Sequence, residues 1–201
     1  MTETVQSAIA ARLDALSIPS RIDTDSYPSI VALFEDALST YRDEAACSSV
    51  GHTLTYADLD RLSAHFAGWL QHGAGLERGD RVAVQMPNLI QYLVVSLGAL
   101  RAGMVVVNTN PLYTERELKH QLNDANVKVM VVQANVAQTA AAVLPKTGVE
   151  TVVVTEIADL HPQPKRTLIN FLVKYVKRMV PAFSIPGALK LNAVLKAGAK
   201  T

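Results

Sequence analysis

The chain has 201 residues, of which 49% are apolar, 18% are charged and 5% are aromatic. The apolar fraction excludes wholesale disorder, and ten Gly with nine Pro exclude a collagen-like composition. A single cysteine, Cys47, excludes an internal disulfide and a multi-cysteine zinc site, which suits a reducing compartment.

The net charge of +1 conceals two segments of opposite sign. Through Asp159 the chain has 11 Lys and Arg against 18 Asp and Glu, a net charge of −7. From Leu160 onward it has eight basic residues and no acidic one, a net charge of +8. This asymmetry indicates that the tail meets an anionic surface, an anionic ligand or some other partner.

The first 55 residues are predicted to form two helices and a hairpin. Apolar residues from Val5 to Leu16 recur at spacings of three and four, as on one face of an amphipathic helix. Ser29 stands where a helix N-cap is expected, and Gly51 separates two short runs typical of antiparallel strands. The predicted elements are a helix over 3–16, a loop over 21–28, a helix over 29–41 and strands over 45–50 and 52–55.

From Thr55 onward, short Val-rich strands alternate with helical segments. Thr55 with Asp58, and Thr114 with Glu117, have the capping-box spacing that begins a helix. Strands are predicted over 81–85, 104–107, 127–132 and 151–155, and helices over 55–70, 89–100, 114–123 and 136–144. The alternation predicts an α/β fold, in which βαβ units with right-handed crossovers build a parallel sheet with helices on both faces.

The composition changes after residue 160. His161-Pro162-Gln163-Pro164 interrupts the α/β pattern, and four of the nine prolines lie between Pro162 and Pro186. A long helix is predicted over 166–180 and a short one over 185–196. We therefore expect an N-terminal helix and loop (1–28), an α/β subdomain (29–160) and a basic, amphipathic helical segment (161–201).

The helix predicted over 166–180 is cationic on one side and apolar on the other. At ~100° per residue its apolar side chains cover an arc of about 200°. They are Leu168, Ile169, Phe171, Leu172, Val173, Tyr175, Val176, Met179 and Val180. The pattern is typical of an interfacial membrane helix, and equally of a helix that packs on a sheet or another domain. In the first case the candidate membrane contacts are Lys165, Arg166, Phe171, Lys174, Tyr175, Lys177 and Arg178.

The other candidate motifs favour structural roles. Gly73–Gly79 resembles a dinucleotide loop, but a helix precedes it and a strand follows, so a helix C-cap and turn is the better interpretation. No GxxxxGK[ST] or GxSxG motif occurs, and Cys47 is expected to be a small buried residue. The histidines lack metal-site spacing; they are His52, His65, His72, His120 and His161. We predict no catalytic, cofactor-binding or metal-ligating residue, and no nucleic-acid partner, since stacking aromatics do not interleave with the basic residues.

The chain is expected to be cytoplasmic. Residues 1–20 carry three charged side chains and lack the apolar core of a secretory signal. The uncharged run Val82–Leu100 is long enough to span a membrane, but Pro87-Asn88 interrupts it, which is typical of a strand, turn and helix. The basic tail offers an alternative, in which the protein lies peripherally on the inner face of the cytoplasmic membrane.

Several segments resemble the acyl-adenylate-forming, AMP-binding ligases. Leu54–Asn88 has a Thr-Tyr-x-Asp-Leu helix start, a Gly-Leu-x-x-Gly-Asp-Arg-Val turn and a Pro-Asn pair, and the likeness continues over Gly98–Val132. Asn110–Thr114, Asn-Pro-Leu-Tyr-Thr, is most like the long-chain fatty acid–CoA ligases. Pro164–Phe183 is similar to the bacterial members of that branch, so the resemblance covers nearly the whole chain from Tyr27.

The resemblance implies a two-step reaction for a parent enzyme. ATP and a fatty acid form an acyl-adenylate and pyrophosphate with Mg²⁺, and the CoA thiol then displaces AMP. The family's phosphate loop and its C-terminal domain do not occur in these 201 residues. We therefore expect a catalytically inert N-terminal portion that binds no cofactor by itself, and that forms homo-oligomers through apolar surface and sheet edges left uncovered.

Two other hypotheses remain open. The chain would be a stand-alone lipid- or membrane-binding module if the tail itself holds anionic lipid or acyl chains. The other hypothesis is a small nucleotide-binding α/β domain. The missing phosphate loop argues against it.

Overall fold

The computed structural model describes residues 2–19 and 25–201, with side chains from residue 5. These residues form two compact units that divide between Phe34 and Glu35. The first contains α1 (Thr2–Ala15) and the first half of α2 (Ile30–Thr40). Ser29 Oγ accepts a hydrogen bond from the Ala32 N–H at 3.1 Å, the cap expected from sequence. The loop predicted over 21–28 lies partly outside the described residues.

In the second unit the predicted hairpin follows the end of α2. Strands β1 (Ala45–Ser49) and β2 (His52–Thr55) pair antiparallel around a two-residue turn. Both turn residues have positive φ, 52° at Val50 and 74° at Gly51, as the tightest hairpin turns require. Val50 is β-branched, and this conformation is costly for such a residue.

Helix α3 (Tyr56–Gly68) begins with the predicted capping box. Thr55 Oγ1 accepts from the Asp58 N–H at 3.1 Å, and Asp58 Oδ2 accepts from the Thr55 N–H at 3.4 Å. The helix continues through a wider, π-helical turn at Trp69–Gly73. Gly75 and Gly79 then take positive φ in the predicted turn, which leads into a strand at Arg81–Gln85 rather than into a helix, so it is not a dinucleotide loop.

A five-stranded parallel sheet, in the order β4–β3–β5–β6–β7, forms the centre of the second unit. The strands are β3 (Arg81–Gln85), β4 (Val105–Thr109), β5 (Val127–Gln133), β6 (Thr151–Thr155) and β7 (Leu189–Lys190). The helices between and after them are α4 (Ile90–Arg101), α5 (Glu115–Asp124), α6 (Ala137–Val143), α7 (Lys165–Phe171) and α8 (Leu191–Gly198). The predicted α/β fold with a parallel sheet is confirmed, although β4 lies further along the chain than expected.

Helices cover both faces of the sheet. On one face Ala83, Met130 and Val152 pack in a core with Leu118 of α5 and Ala140 of α6. The other face is covered by α4, against which α3 packs, and α8 packs on α3. These helices approach closely at glycines, since a Cβ added at Gly98 would lie 2.7 Å from the Ser63 carbonyl oxygen. Successive side chains of a strand point to opposite faces, so the continuous Val-rich runs make both faces apolar.

The last segment differs from the helix predicted over 185–196. Pro186 and Gly187 form a turn, with φ of +76° at Gly187. Leu189–Lys190 then pairs with β6 as β7, and α8 begins only at Leu191. A two-residue strand shows no alternation in the sequence, which is why it was missed. None of the helices in the described ranges is both long and apolar enough to cross a membrane.

Candidate functional site

Helix α7 carries the residues that the sequence predicted as membrane contacts. It runs over Lys165–Phe171 and continues as a π-helical turn over Leu172–Val176. The prediction of a helix to Val180 is wrong at its end, because Arg178 takes a φ of +51° and stops the helix. Pro181 then disfavours helical backbone at the residue before it. Lys177 and Arg178 therefore lie just beyond the helix.

The predicted apolar side of α7 is largely exposed. Phe171, Tyr175 and Val176 are 53%, 60% and 63% exposed, and no residue of the helix is buried. We call this region the α7 surface; its exposed members are Lys165, Leu168, Phe171, Leu172, Lys174, Tyr175, Val176, Lys177, Arg178 and Met179. Of the seven predicted contacts only Arg166 is half-buried. An exposed apolar patch on a small domain indicates an interaction surface.

Aromatic and basic side chains meet on the α7 surface. The rings of Phe171 and Tyr175 are 5.1 Å apart between centroids. Lys174 Nζ lies 5.4 Å from the centroid of the Tyr175 ring. The sequence placed Lys174 opposite the apolar arc, but its long side chain reaches back over the aromatic ring.

Asn170 attaches α7 to the loop that follows β6. Its Oδ1 accepts from the Ala158 N–H at 2.9 Å. Its Nδ2 donates to Glu156 Oε2 at 3.1 Å and to Asp159 Oδ1 at 3.2 Å. Helical spacing in the sequence does not reveal this role of Asn170, because its partners lie on a loop outside the helix.

Asp159 is the buried carboxylate beneath α7. Burial raises the pKa of Asp159, and hydrogen bonds from the Glu156 N–H, Thr155 and Asn170 oppose that rise. Its Oδ2 accepts from the Glu156 N–H at 2.8 Å and from Thr155 Oγ1 at 3.2 Å. Each oxygen is therefore turned towards donors of the protein, and the carboxylate orders the loop rather than acting as a free base.

Two clefts adjoin this loop. One, of about 480 Å³, lies against α7 and is lined by Arg166, Lys174 and Lys190 together with Phe171 and Tyr175. The other, of about 430 Å³, lies against α3 and α8 and contains His52, His65 and His161. We call the second the histidine cleft. His72 and His120 are exposed elsewhere, and no group of His, Cys, Asp and Glu within the described ranges is placed to hold a metal ion.

A row of buried polar side chains ends the strands of the parallel sheet. The last residues of β3, β4, β5 and β6 are Gln85, Thr109, Gln133 and Thr155, and each is no more than 3% exposed. Gln85 is in register with Thr109, and Gln133 with Thr155. Open parallel sheets bind ligands beyond this edge. The signal was present in the sequence, where each valine run ends in Gln or Thr, but it was missed.

Cys47 is half-buried rather than buried as predicted. It lines a cleft of about 300 Å³ with Leu89 and Ile90. Burial raises the pKa of its thiol, so the thiol stays protonated and weakly nucleophilic. Neither cleft beside α7 contains a cysteine or serine. The described arrangement is suited to binding anions and apolar groups rather than to covalent chemistry.

Comparison with known proteins gives a consistent result. Residues 34–187 match the family described as AMP-binding enzyme. The chain is 46% identical over 181 residues to the long-chain-fatty-acid–CoA ligase of Salmonella typhimurium, which covers 90% of the chain and 32% of the relative. It is 44% identical over 177 residues to the ligase of the same name from Haemophilus influenzae, covering 88% of the chain and 32% of the relative. The chain thus spans about a third of the length of the curated relatives it matches.

Solved structures share the fold. A long-chain-fatty-acid-CoA ligase from Archaeoglobus fulgidus superposes with a TM-score of 0.63 at 21% identity, covering 86% of this chain and 30% of that one. The anthranilate CoA ligase AuaEII, in complex with anthranoyl-AMP, superposes with a TM-score of 0.66 at 16% identity. It covers 85% of this chain and 27% of the other.

Proposed function

The chain belongs to the family of AMP-binding enzymes, and we propose that it is the N-terminal portion of a long-chain fatty acid–CoA ligase. The observation that supports this most is identity of 44–46% to bacterial ligases of that name across about nine tenths of the chain. In the proposed reaction a fatty acid carboxylate attacks the α-phosphorus of ATP and expels pyrophosphate. The CoA thiol then attacks the acyl carbonyl, loses its proton and expels AMP.

In that reaction this chain would form part of the structural framework and would contribute no reacting group. Its parallel sheet, closed on both faces by helices, holds a polar edge at Gln85, Thr109, Gln133 and Thr155. Mg²⁺ is part of the proposal for the parent enzyme, but the described residues include no set of ligands for it. We derive no step through the metal and assign none of these residues to ATP or CoA.

A chimera tests the parent function. Residues 34–187 of this chain would replace the matching segment of the Salmonella typhimurium ligase, and acyl-CoA formation from a long-chain fatty acid would be measured. We expect the chimera to retain activity. A matched chimera carrying Gly98→Trp, which places a large side chain against Ser63 and Phe66, should lose it through misfolding. A soluble, folded but inactive first chimera would contradict the proposal.

The isolated 201-residue chain is expected to be inert. We expect no fatty acid-dependent exchange between ATP and pyrophosphate, because the described residues include no placed nucleophile, metal site or phosphate loop. Exchange that persists through purification to a single species would contradict this. Absence of ATP and NAD binding by calorimetry would also argue against a separate nucleotide-binding domain.

We further propose that the α7 surface contacts the anionic inner face of the cytoplasmic membrane. The exposed Phe171 and Tyr175 rings lie beside Lys174, and the segment from Leu160 onward has a net charge of +8. Aromatic rings at the headgroup level and nearby cations are the features of an interfacial helix. The alternative occupant is another part of the parent enzyme.

Vesicle flotation separates these alternatives. We expect the chain to float with vesicles containing anionic lipid, and Phe171→Ser with Tyr175→Ser to abolish flotation at unchanged stability, since both rings are exposed. Lys174→Gln with Lys177→Gln should weaken it, whereas Lys119→Gln on α5 with Lys146→Gln should not. Equal flotation of all variants would reject the α7 surface as the lipid contact. If Phe171→Ser with Tyr175→Ser destabilises the parent enzyme but not the 201-residue chain, the α7 surface packs against another part of the parent enzyme.

A further inference from the structure

The histidine cleft gathers basic side chains from four parts of the second unit. His52 comes from β2, Arg61 and His65 from α3, His161 and Arg166 from the loop after β6 and the start of α7, and Lys196 from α8. The apolar side chains of Leu54, Leu62 and Leu195 line the same cleft. The packing of α8 on α3 brings Lys196 to the same cleft as Arg61 and His65.

His161 lies in this cleft with an unmet hydrogen-bonding need. It is 3% exposed, and its Nε2 is 3.0 Å from the Val50 carbonyl oxygen. That oxygen can only accept, so Nε2 carries a hydrogen and donates it to Val50. Nδ1 is buried and has no hydrogen-bond partner among the described residues. A buried polar atom left unpaired is destabilising, which indicates that something else completes the site.

His52 stands against His161, with 4.9 Å between the ring centroids. Burial lowers the pKa of His52, and the charge of His161 lowers it further. Burial and then the charge of Arg61 also lower the pKa of His65. The cleft therefore opposes the protonation of His52 and His65, and a bound anion would favour it.

The two carboxylates in the cleft are engaged by other groups. Asp58 pairs with Arg61 at 2.9 Å and caps α3 through its other oxygen. Asp159 accepts from Thr155, the Glu156 N–H and Asn170. Arg166 and Lys196 have no carboxylate within ion-pair distance among the residues that the structure describes. Burial raises the pKa of Asp159, and the charge of Arg166 acts on this carboxyl to lower it. Arg61, Arg166 and Lys196 nevertheless outnumber the two carboxylates, so the net charge that faces the cleft is positive.

We propose that the histidine cleft binds a phosphate group. A phosphate has enough oxygens to accept from Arg166, Lys196 and His52 together, and its charge suits a partly desolvated cationic site. Its hydroxyl can donate to His161 Nδ1, and its oxygens can accept from an N–H at that position. The cleft of about 430 Å³ exceeds what inorganic phosphate fills, so Leu54, Leu62 and Leu195 would contact the apolar body of a phosphate monoester.

The test is titration of the 201-residue chain, followed by NMR of its amide and histidine ring signals. The probes are inorganic phosphate, AMP as a soluble phosphate monoester, and short-chain phosphatidic acid below its micelle concentration. Shifts at His52, His161 and Lys196 would support the site. A preference for AMP over phosphatidic acid would indicate a soluble ester, and the reverse a lipid headgroup. Equal shifts with chloride at matched ionic strength would mean adventitious ion binding and would overturn the proposal.

Paired variants decide whether the cleft is specific. Arg166→Gln with Lys196→Gln should weaken binding about tenfold or more, whereas Lys119→Gln with Lys200→Gln changes the net charge equally outside the cleft and should not. Both pairs are on exposed or half-exposed positions, so the fold should persist, which circular dichroism checks. Equal weakening by the two pairs would show nonspecific attraction and would refute a built site.

Proton linkage supplies a second readout. The titratable groups that face the cleft are His52, His65 and His161, with Asp58 and Asp159, and the cations are Arg61, Arg166 and Lys196, with Lys165 nearby. Phosphate should raise the midpoint of the His52 ring titration, because a bound anion stabilises the protonated ring. A His52 midpoint unchanged at saturating phosphate would contradict contact with this histidine pair.

Discussion

Gly198→Ala tests whether the close approach of α8 to α3 holds the second unit together. A Cβ at residue 198 would collide with the His65 carbonyl oxygen, and it would lie 2.8 Å from the His65 carbonyl carbon and 2.9 Å from the Trp69 nitrogen. All three are backbone atoms of a helix, so no side chain can rotate away. Helix α8 would have to move outward, which would loosen Leu191 and Val194, now 0% and 1% exposed.

The magnitude follows from two opposing effects. Replacing Gly by Ala within a helix stabilises by up to about 1 kcal/mol. Overpacking of this kind costs about 1–3 kcal/mol, and more when only backbone can yield. We therefore expect a net loss of about 2 kcal/mol in the free energy of unfolding. With a urea slope of about 1–3 kcal/mol per molar, the midpoint should fall by about 0.7–2 M.

Urea denaturation followed by the fluorescence of Trp69 is the assay. Trp69 is the only tryptophan, is 5% exposed and lies beside the substituted position, so its signal reports the second unit. Gly148→Ala is the control, since nothing lies within 4 Å of a Cβ there and its φ is not left-handed. A midpoint for Gly198→Ala that equals that of Gly148→Ala would refute the close-packing argument.

Further predictions concern the loop under α7, the hairpin, the histidines and self-association. Asn170→Ala should cost about 1–3 kcal/mol and speed amide exchange along α7, because the Ala158 N–H loses its acceptor; unchanged exchange would contradict that anchoring role. Val50→Asn should stabilise by about 1 kcal/mol in thermal unfolding, because Asn tolerates the φ of +52° better, and no gain would argue against strain there. Burial lowers the folded-state pKa of His52 and His65, so the stability they contribute is present above pH 6.5 and lost as pH falls through their folded pKa values. The melting temperature should accordingly fall between pH 7.5 and pH 5.5, and His52→Gln with His65→Gln should flatten that fall. Finally, light scattering should show dimers or larger species through the α7 surface, and a monomer at every concentration would contradict this.

Local sequence signals predicted most of the second unit. The valine runs of β3, β5 and β6 and the capping boxes at Thr55 and Thr114 act over a few residues, and the structure has them where they were expected. Their alternation with helices was enough to predict a parallel sheet, because parallel strands require crossover connections. The segments that resembled AMP-binding ligases were likewise readable from residue order alone.

Contacts between distant residues decided the rest. Strand β7 exists because Leu189 and Lys190 pair with β6, and two residues carry no periodic signal of their own. Asn170 holds the loop after β6 because the fold brings α7 to it. His161 meets Val50 across 111 positions of sequence. Local propensity and apolar period therefore determined which segments are helices and strands, whereas the clefts, the polar edge and their charges arise from packing, which joins side chains that no short sequence window contains.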